Sequence, residues 1–174
     1  MRLFGAQRLC VSVEDIDFED PNRPEYGREL GIRVELRTVR EDPAASSIYA
    51  SRQLEVGRAV CRFDLLESAP RAQDRMHWHP TMTDGVPCER VFDTDLRADP
   101  TGFLRERFND AVSLLQRCGV EAPQEFATDA RALAGITDAI VADIGGALER
   151  LRSEPWPPVP ERDERGMPLV TGRR

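Results

Sequence analysis

The chain has 174 residues, 40% of them hydrophobic and 32% charged, which supplies one sizeable core and excludes a wholly disordered chain. The formal net charge is −7, which argues against broad nonspecific nucleic-acid binding, and all 24 basic residues are arginine, which excludes a Schiff-base or P-loop lysine. No apolar run reaches the roughly 20 residues of a membrane helix, and Met1 to Val13 lacks the order of a signal peptide, so a cytoplasmic protein is expected.

Leu9, Val11 and Val13 alternate with Cys10, Ser12 and Glu14, the period of a half-buried strand. The apolar parity then shifts to Ile16 and Phe18, which predicts a bulge near Glu14–Asp15. Pro21, Asn22, Pro24 and Gly27 predict a loop. Ile32, Val34 and Leu36, alternating with Arg33, Glu35 and Arg37, predict a second strand with a turn after it around Asp42–Pro43. Over 47–66 the pattern predicts a hairpin turning at Val56–Gly57, with Leu54 facing Ala59 and Ala50 facing Phe63. Arg75 to His79 reads as a short strand, Met76 and Trp78 on one side, His77 and His79 on the other, ended by Pro80. Glu89 to Phe92 adds one more short strand.

Helical spacing takes over from Asp99-Pro100, an N-cap followed by proline in the first turn. Leu104, Phe108, Ala111, Leu115 and Cys118 predict a single helix stopped by Gly119. A second helix opens at Pro123 or Thr128 and carries Leu133, Ile136, Ile140, Ile144, Leu148 and Leu151. Gly145–Gly146 inside it marks a kink or a close helix contact. From Ser153 the prolines at 155, 157, 158, 160 and 168 predict an extended or disordered tail, with Trp156 packing back on the body or on a partner. The expected fold class is α+β: an antiparallel sheet of about five strands with two C-terminal helices on one face. Residues 1–152 form the domain and 153–174 the tail.

Cys10, Cys61, Cys88 and Cys118 form no C-x-x-C pair, and free thiols in a reducing compartment are expected, with Cys61 and Cys118 as small core residues. The acidic run Glu14 to Asp20 lacks the spacing of a calcium loop and reads as solvated charge, and Asp93-x-Asp95 reads as helix-entry polarity. No phosphate-loop or G-x-S-x-G pattern is present.

The densest polar constellation is residues 61–80, which hold both histidines. With helices on the apolar face, the other face carries Arg33, Arg37, Tyr49, Ser51, Arg62 and Asp64 together with His77 and His79. As ligands, His77 and His79 share a divalent transition metal completed by Asp64, Cys88 or Glu89. As acid–base groups, the two imidazoles divide the taking and giving of a proton, Asp64 orients an imidazole and Arg62 receives an anionic group. The third reading is local hydrogen bonding on a wet sheet face.

The run Arg62-Phe63-Asp64 followed by His77-Trp78-His79-Pro80 resembles the toxins of TumE-type bacterial toxin–antitoxin pairs, small cytosolic proteins with an Arg-Tyr-Asp stretch and then a histidine-rich stretch. Phe63 replaces the tyrosine, there are two histidines, and the helical third shows no match. The resemblance implies an RNA-directed or nucleotidyl-handling toxin neutralised by a partner protein.

Two functional classes follow. The first is an interaction or ligand-binding module that meets a protein partner through its polar sheet face or its tail. The second is a histidine-dependent enzyme or metal-binding protein centred on His77 and His79. The module ranks first here, because a single constellation supports chemistry.

Overall fold

A computed structural model describes residues 1–19, 28–41 and 54–156. Five antiparallel strands, β1 (Arg2–Ala6), β2 (Leu9–Glu19), β3 (Arg28–Glu41), β4 (Leu54–Glu67) and β5 (His77–His79), lie side by side in chain order. A small hairpin, β6 (Met82–Thr83) and β7 (Val86–Pro87), follows. Five helices come next: α1 (Thr94–Ala98), α2 (Pro100–Asn109), α3 (Ala111–Arg117), α4 (Ala127–Ala134) and α5 (Thr137–Ser153), with a 3-10 turn at Pro123–Phe126. The class is α+β, as the sequence predicts.

Strand alternation puts Val11, Val13, Ile32, Val34, Leu36, Cys61, Phe63, Leu65 and Trp78 on one sheet face. They are buried in one core cluster with Leu104, Phe108, Leu115, Ile140 and Ile144 of the helices, and Ile136 packs against that cluster partly buried. Phe63 stacks on Trp78 at a centroid distance of 5.3 Å, and Phe103 and Phe108 meet Phe63 edge-on at 6.2 and 6.3 Å. Each such side chain contributes about 1.5–3 kcal/mol by leaving water.

Four local expectations are corrected. The β2–β3 ladder runs without a break from Leu9↔Thr38 to Glu19↔Arg28, so there is no bulge at Glu14–Asp15. The parity shift has another cause: Ile16 and Phe18 share a face with Cys10 and Ser12, and Phe18 lines a cleft there. Nor does the chain turn at Val56–Gly57. β4 passes straight through and pairs with β3, with register shifts between Leu36 and Val39. Gly57 sits at that irregularity, where a Cβ would lie 2.7 Å from Thr38 Oγ1, so the glycine serves a close strand approach. Ala50, Tyr49, Ser51, the loop at 21–27 and the turn at Asp42–Pro43 lie outside the described residues.

The expected pair of helices is divided further. Asp110 leaves helical backbone geometry and its carboxylate accepts from Ser113 N–H, ending α2 and capping α3 where Leu104 to Cys118 read as continuous. Gly135 and Ile136 likewise separate α4 from α5. The predicted signals at the ends hold: Asp99 accepts from Gly102 N–H at 2.8 Å, Asp93 caps α1, and Gly119 takes φ +74°. Of the two roles for Gly145–Gly146, the kink is not found, since α5 is unbroken, and the contact with α2 is an ordinary one, a Cβ on Gly145 meeting Thr101 at 3.7 Å.

Two polar ties lock the layers together. Asp129 of α4 accepts from the backbone N–H of Arg8 at 2.9 Å and from its guanidinium, fixing the β1–β2 turn. Arg152 near the end of α5 donates to buried Glu67 at 2.6 Å. Trp156 packs back on the body, donating Nε1–H to Leu151 O at 2.9 Å; residues 157–174 of the expected tail lie outside the described residues. Among the described residues no helix is long and apolar enough to cross a membrane.

Candidate metal centre

β4 and β5 build the site between them. Their register pairs Asp64 with His77 and Arg62 with His79, so the two imidazoles emerge beside the carboxylate on the face opposite Phe63 and Trp78. β5 is held on its other side by Val91, whose backbone exchanges hydrogen bonds with Trp78 at 2.8 and 3.0 Å. That is where the strand expected at Glu89–Phe92 lies, reduced to a single bridge.

His77 Nδ1 lies 2.7 Å from Arg75 O, and His79 Nδ1 lies 2.6 Å from Glu89 O. A carbonyl oxygen only accepts, so each Nδ1 carries the hydrogen and each Nε2 of a neutral ring presents a lone pair. Both Nε2 atoms sit 3.5 Å from the same oxygen, Asp64 Oδ2. The other oxygen, Oδ1, accepts from Arg33 Nε at 2.9 Å. Burial is the largest influence on both histidines and, aided by the positive charge of Arg90, holds their pKa values below the ordinary imidazole range; Asp64 and the two carbonyls oppose it without prevailing.

Three acceptor atoms therefore converge, all within 4.8 Å of one another. The separation fits a shared cation, because bonds of about 2.0–2.1 Å in tetrahedral geometry place neighbouring ligand atoms roughly 3.3 Å apart. The outer contacts fit as well, since ligating histidines characteristically donate their second nitrogen to a carbonyl or carboxylate.

The wet-face expectation is corrected. Asp64, His77 and His79 are 4%, 5% and 5% exposed, so the cluster is desolvated rather than rinsed by solvent. Phe92 contributes to this, its ring centroid 5.5 Å from that of His77. Cys88 is not brought to the cluster; its thiol is exposed and engages Thr83 Oγ1 at 3.0 Å near the β6–β7 hairpin. Glu89 takes part through its backbone carbonyl, not its carboxylate. Arg62 lines the same cleft, but its Nε is committed to buried Glu35 at 2.7 Å, which also pairs with Arg37.

The cluster forms one wall of a cleft of about 520 Å³ whose lining includes Phe18, Arg33, Arg62, Arg75, Arg90 and Phe92. Phe18, Arg75, Arg90 and Phe92 were not among the expected site residues. The parity shift at Phe18 carried a signal for one of them, and Arg90 and Phe92 fall in the segment expected to flank the histidine strand. Comparisons with known protein families, curated proteins and solved structures find no match to this chain.

Proposed function

We propose that this protein binds a divalent transition metal through Asp64, His77 and His79 and offers the ion's remaining positions to the cleft. The observation that carries the reading is the convergence of two imidazole lone pairs on one carboxylate oxygen, with no donor among the three atoms. Buried acceptors facing one another are costly unless a cation lies between them. Imidazole and carboxylate together suit zinc, iron, cobalt or nickel rather than calcium or magnesium.

A site with three protein ligands and open positions is the arrangement of catalytic metals, whereas structural zinc is closed by four. The reading therefore extends to metal-assisted chemistry on a molecule held in the cleft, with the ion as Lewis acid or as activator of water. The resemblance to TumE-type toxins falls on these same residues and supports treating them as the working site. The polar sheet face gives less support to a protein-binding module, because its charges pair among themselves: Arg33 with Asp64, and Arg62 and Arg37 with Glu35. Free thiols at all four cysteines accord with a reducing, cytoplasmic setting.

Metal analysis tests the reading. Protein stripped with chelator and reloaded with zinc, cobalt or ferrous iron is expected to retain one ion per chain after desalting. The His77→Ala/His79→Ala variant should retain none while keeping its far-ultraviolet spectrum. Equal retention by the folded variant, or no retention by the wild type, contradicts the proposal.

A further inference from the structure

Arg90 stands out among the charges of the cleft. Of its four arginines, Arg33 pairs with Asp64, Arg62 with Glu35, and Arg75 with Glu29. Arg90 is exposed, lines the cleft near both histidines, and has no carboxylate or carbonyl partner among the described residues. Among the described residues the lining carries four arginines and three carboxylates, Glu29, Asp64 and Asp74, with a fourth, Glu35, behind Arg62, so Arg90 is the arginine whose charge no carboxylate partner offsets. A divalent ion at Asp64, His77 and His79 would add its charge to that of Arg90, and positive charge gathered in a cleft concentrates ligands of the opposite sign.

The same lining is apolar in one respect. Phe18 and Phe92 are 50% and 52% exposed, unlike the buried phenylalanines at 63, 103 and 108. Phe92 stands against His77 on one side and under the Arg97 guanidinium at 5.1 Å. A ligand oxygen reaching the metal would thus pass beside an aromatic surface, and a few polar groups set in such a wall is the usual composition of a small-molecule site.

We propose that the cleft binds an organic oxyanion, a phosphate or carboxylate carried on a flat apolar group. One oxygen occupies an open position of the metal, a second is held by Arg90, and the apolar group lies against Phe92. A guanidinium offers two parallel N–H donors to such a group, so the oxyanion bridges ion and arginine without displacing a protein ligand. This inference rests on the metal reading above.

The test separates the two. Metal content of the full chain is measured first, then the zinc-loaded and metal-free forms are titrated calorimetrically with phenyl phosphate, benzoate and inorganic phosphate. Phenyl phosphate or benzoate should bind the loaded form at least tenfold more tightly than the metal-free form, and whichever is tighter identifies the oxyanion. Arg90→Ala should weaken that binding at least tenfold with one zinc still bound, Arg90→Lys should restore part of it, and Phe92→Ala should erase the preference over inorganic phosphate. Zinc bound normally but no binding of either organic anion, or equal binding by wild type and Arg90→Ala, overturns the oxyanion site and leaves the metal site standing. Equal affinity for inorganic and phenyl phosphate overturns the apolar wall. Failure to bind zinc at the first step overturns both.

Discussion

Arg33 donates its Nε–H to Oδ1 of Asp64 at 2.9 Å, which fixes the carboxylate and leaves Oδ2 facing the two histidines. The two residues are directly opposite one another on β3 and β4, so this contact is set by strand register rather than by a loop.

That relationship gives the first prediction. Arg33 touches no ligand position itself, yet it orients one. Arg33→Ala should lower zinc affinity roughly 10–100-fold, as losses of outer contacts to metal ligands do. Competition against a chromophoric chelator measures it, and an unchanged affinity would show that Asp64 needs no such support.

The second prediction concerns acid. Both imidazoles have folded pKa values lowered from 6.5, with burial as the leading cause. In the unfolded chain they return toward that ordinary value and bind more protons, so stability rises with pH across the interval. The contribution of the neutral rings is complete above the unfolded value and is lost as pH falls through the folded values. Asp129 acts in a lower window: burial raises its carboxyl, Arg8 more than offsets this, and the net lowering from 3.8 matters only in stronger acid. Denaturant titrations of metal-free protein should therefore show stability falling as the pH drops below about 6.5. His77→Gln/His79→Gln should flatten that decline; an equal decline in the variant would place its origin elsewhere.

How far the site can be read from the sequence is a matter of period and reach. His77 and His79 share a strand face with a spacing of two, and Asp64 falls opposite them because β4 keeps the parity of Phe63 and Leu65. What composition and spacing do not carry is the loop that closes over them. The Glu89 carbonyl that fixes the His79 tautomer, and Phe92 that helps to exclude water, depend on how 80–92 folds back beside β5, while the Arg75 carbonyl on His77 depends on how the chain enters that strand. Cys88 looked equivalent to a ligand by chemistry and is carried away by the hairpin at Asp84–Gly85, where both residues take positive φ. The same limit applies to the fold. Gly57 reads as a turn because glycine often marks one, while its actual role is to let β4 approach Thr38. Strand β1, short and with Leu3 half exposed, shows little alternation to detect and is defined by its pairing with β2.

The third prediction tests the sheet–helix core. Leu115 is fully buried in the cluster that holds Phe63 and Phe108. Leu115→Ala should cost about 2–5 kcal/mol in urea unfolding, through lost burial and the cavity left behind. A cost below about 0.5 kcal/mol would be the value of an exposed site and would contradict the packing described.

The fourth concerns a glycine required by contact rather than by backbone angle. A Cβ on Gly31 would lie 2.1 Å from the carbonyl oxygen of Leu65 across the β3–β4 ladder. Backbone cannot yield as a side chain does, so Gly31→Ala should destabilise the protein by about 1–3 kcal/mol. Because Leu65 adjoins Asp64, the variant should also weaken zinc binding. A neutral or stabilising effect in thermal melts would show that the strands separate without cost.

The most direct measurement of the central claim is X-ray absorption at the zinc edge of protein loaded with one equivalent of the metal. The account predicts a first shell of nitrogen and oxygen at about 2.0–2.1 Å with the multiple-scattering signature of two imidazoles and no sulfur. His79→Ala should reduce that signature to one imidazole or abolish binding. A shell without imidazole scattering in the wild type, or one containing a sulfur at about 2.3 Å, would contradict coordination by Asp64, His77 and His79.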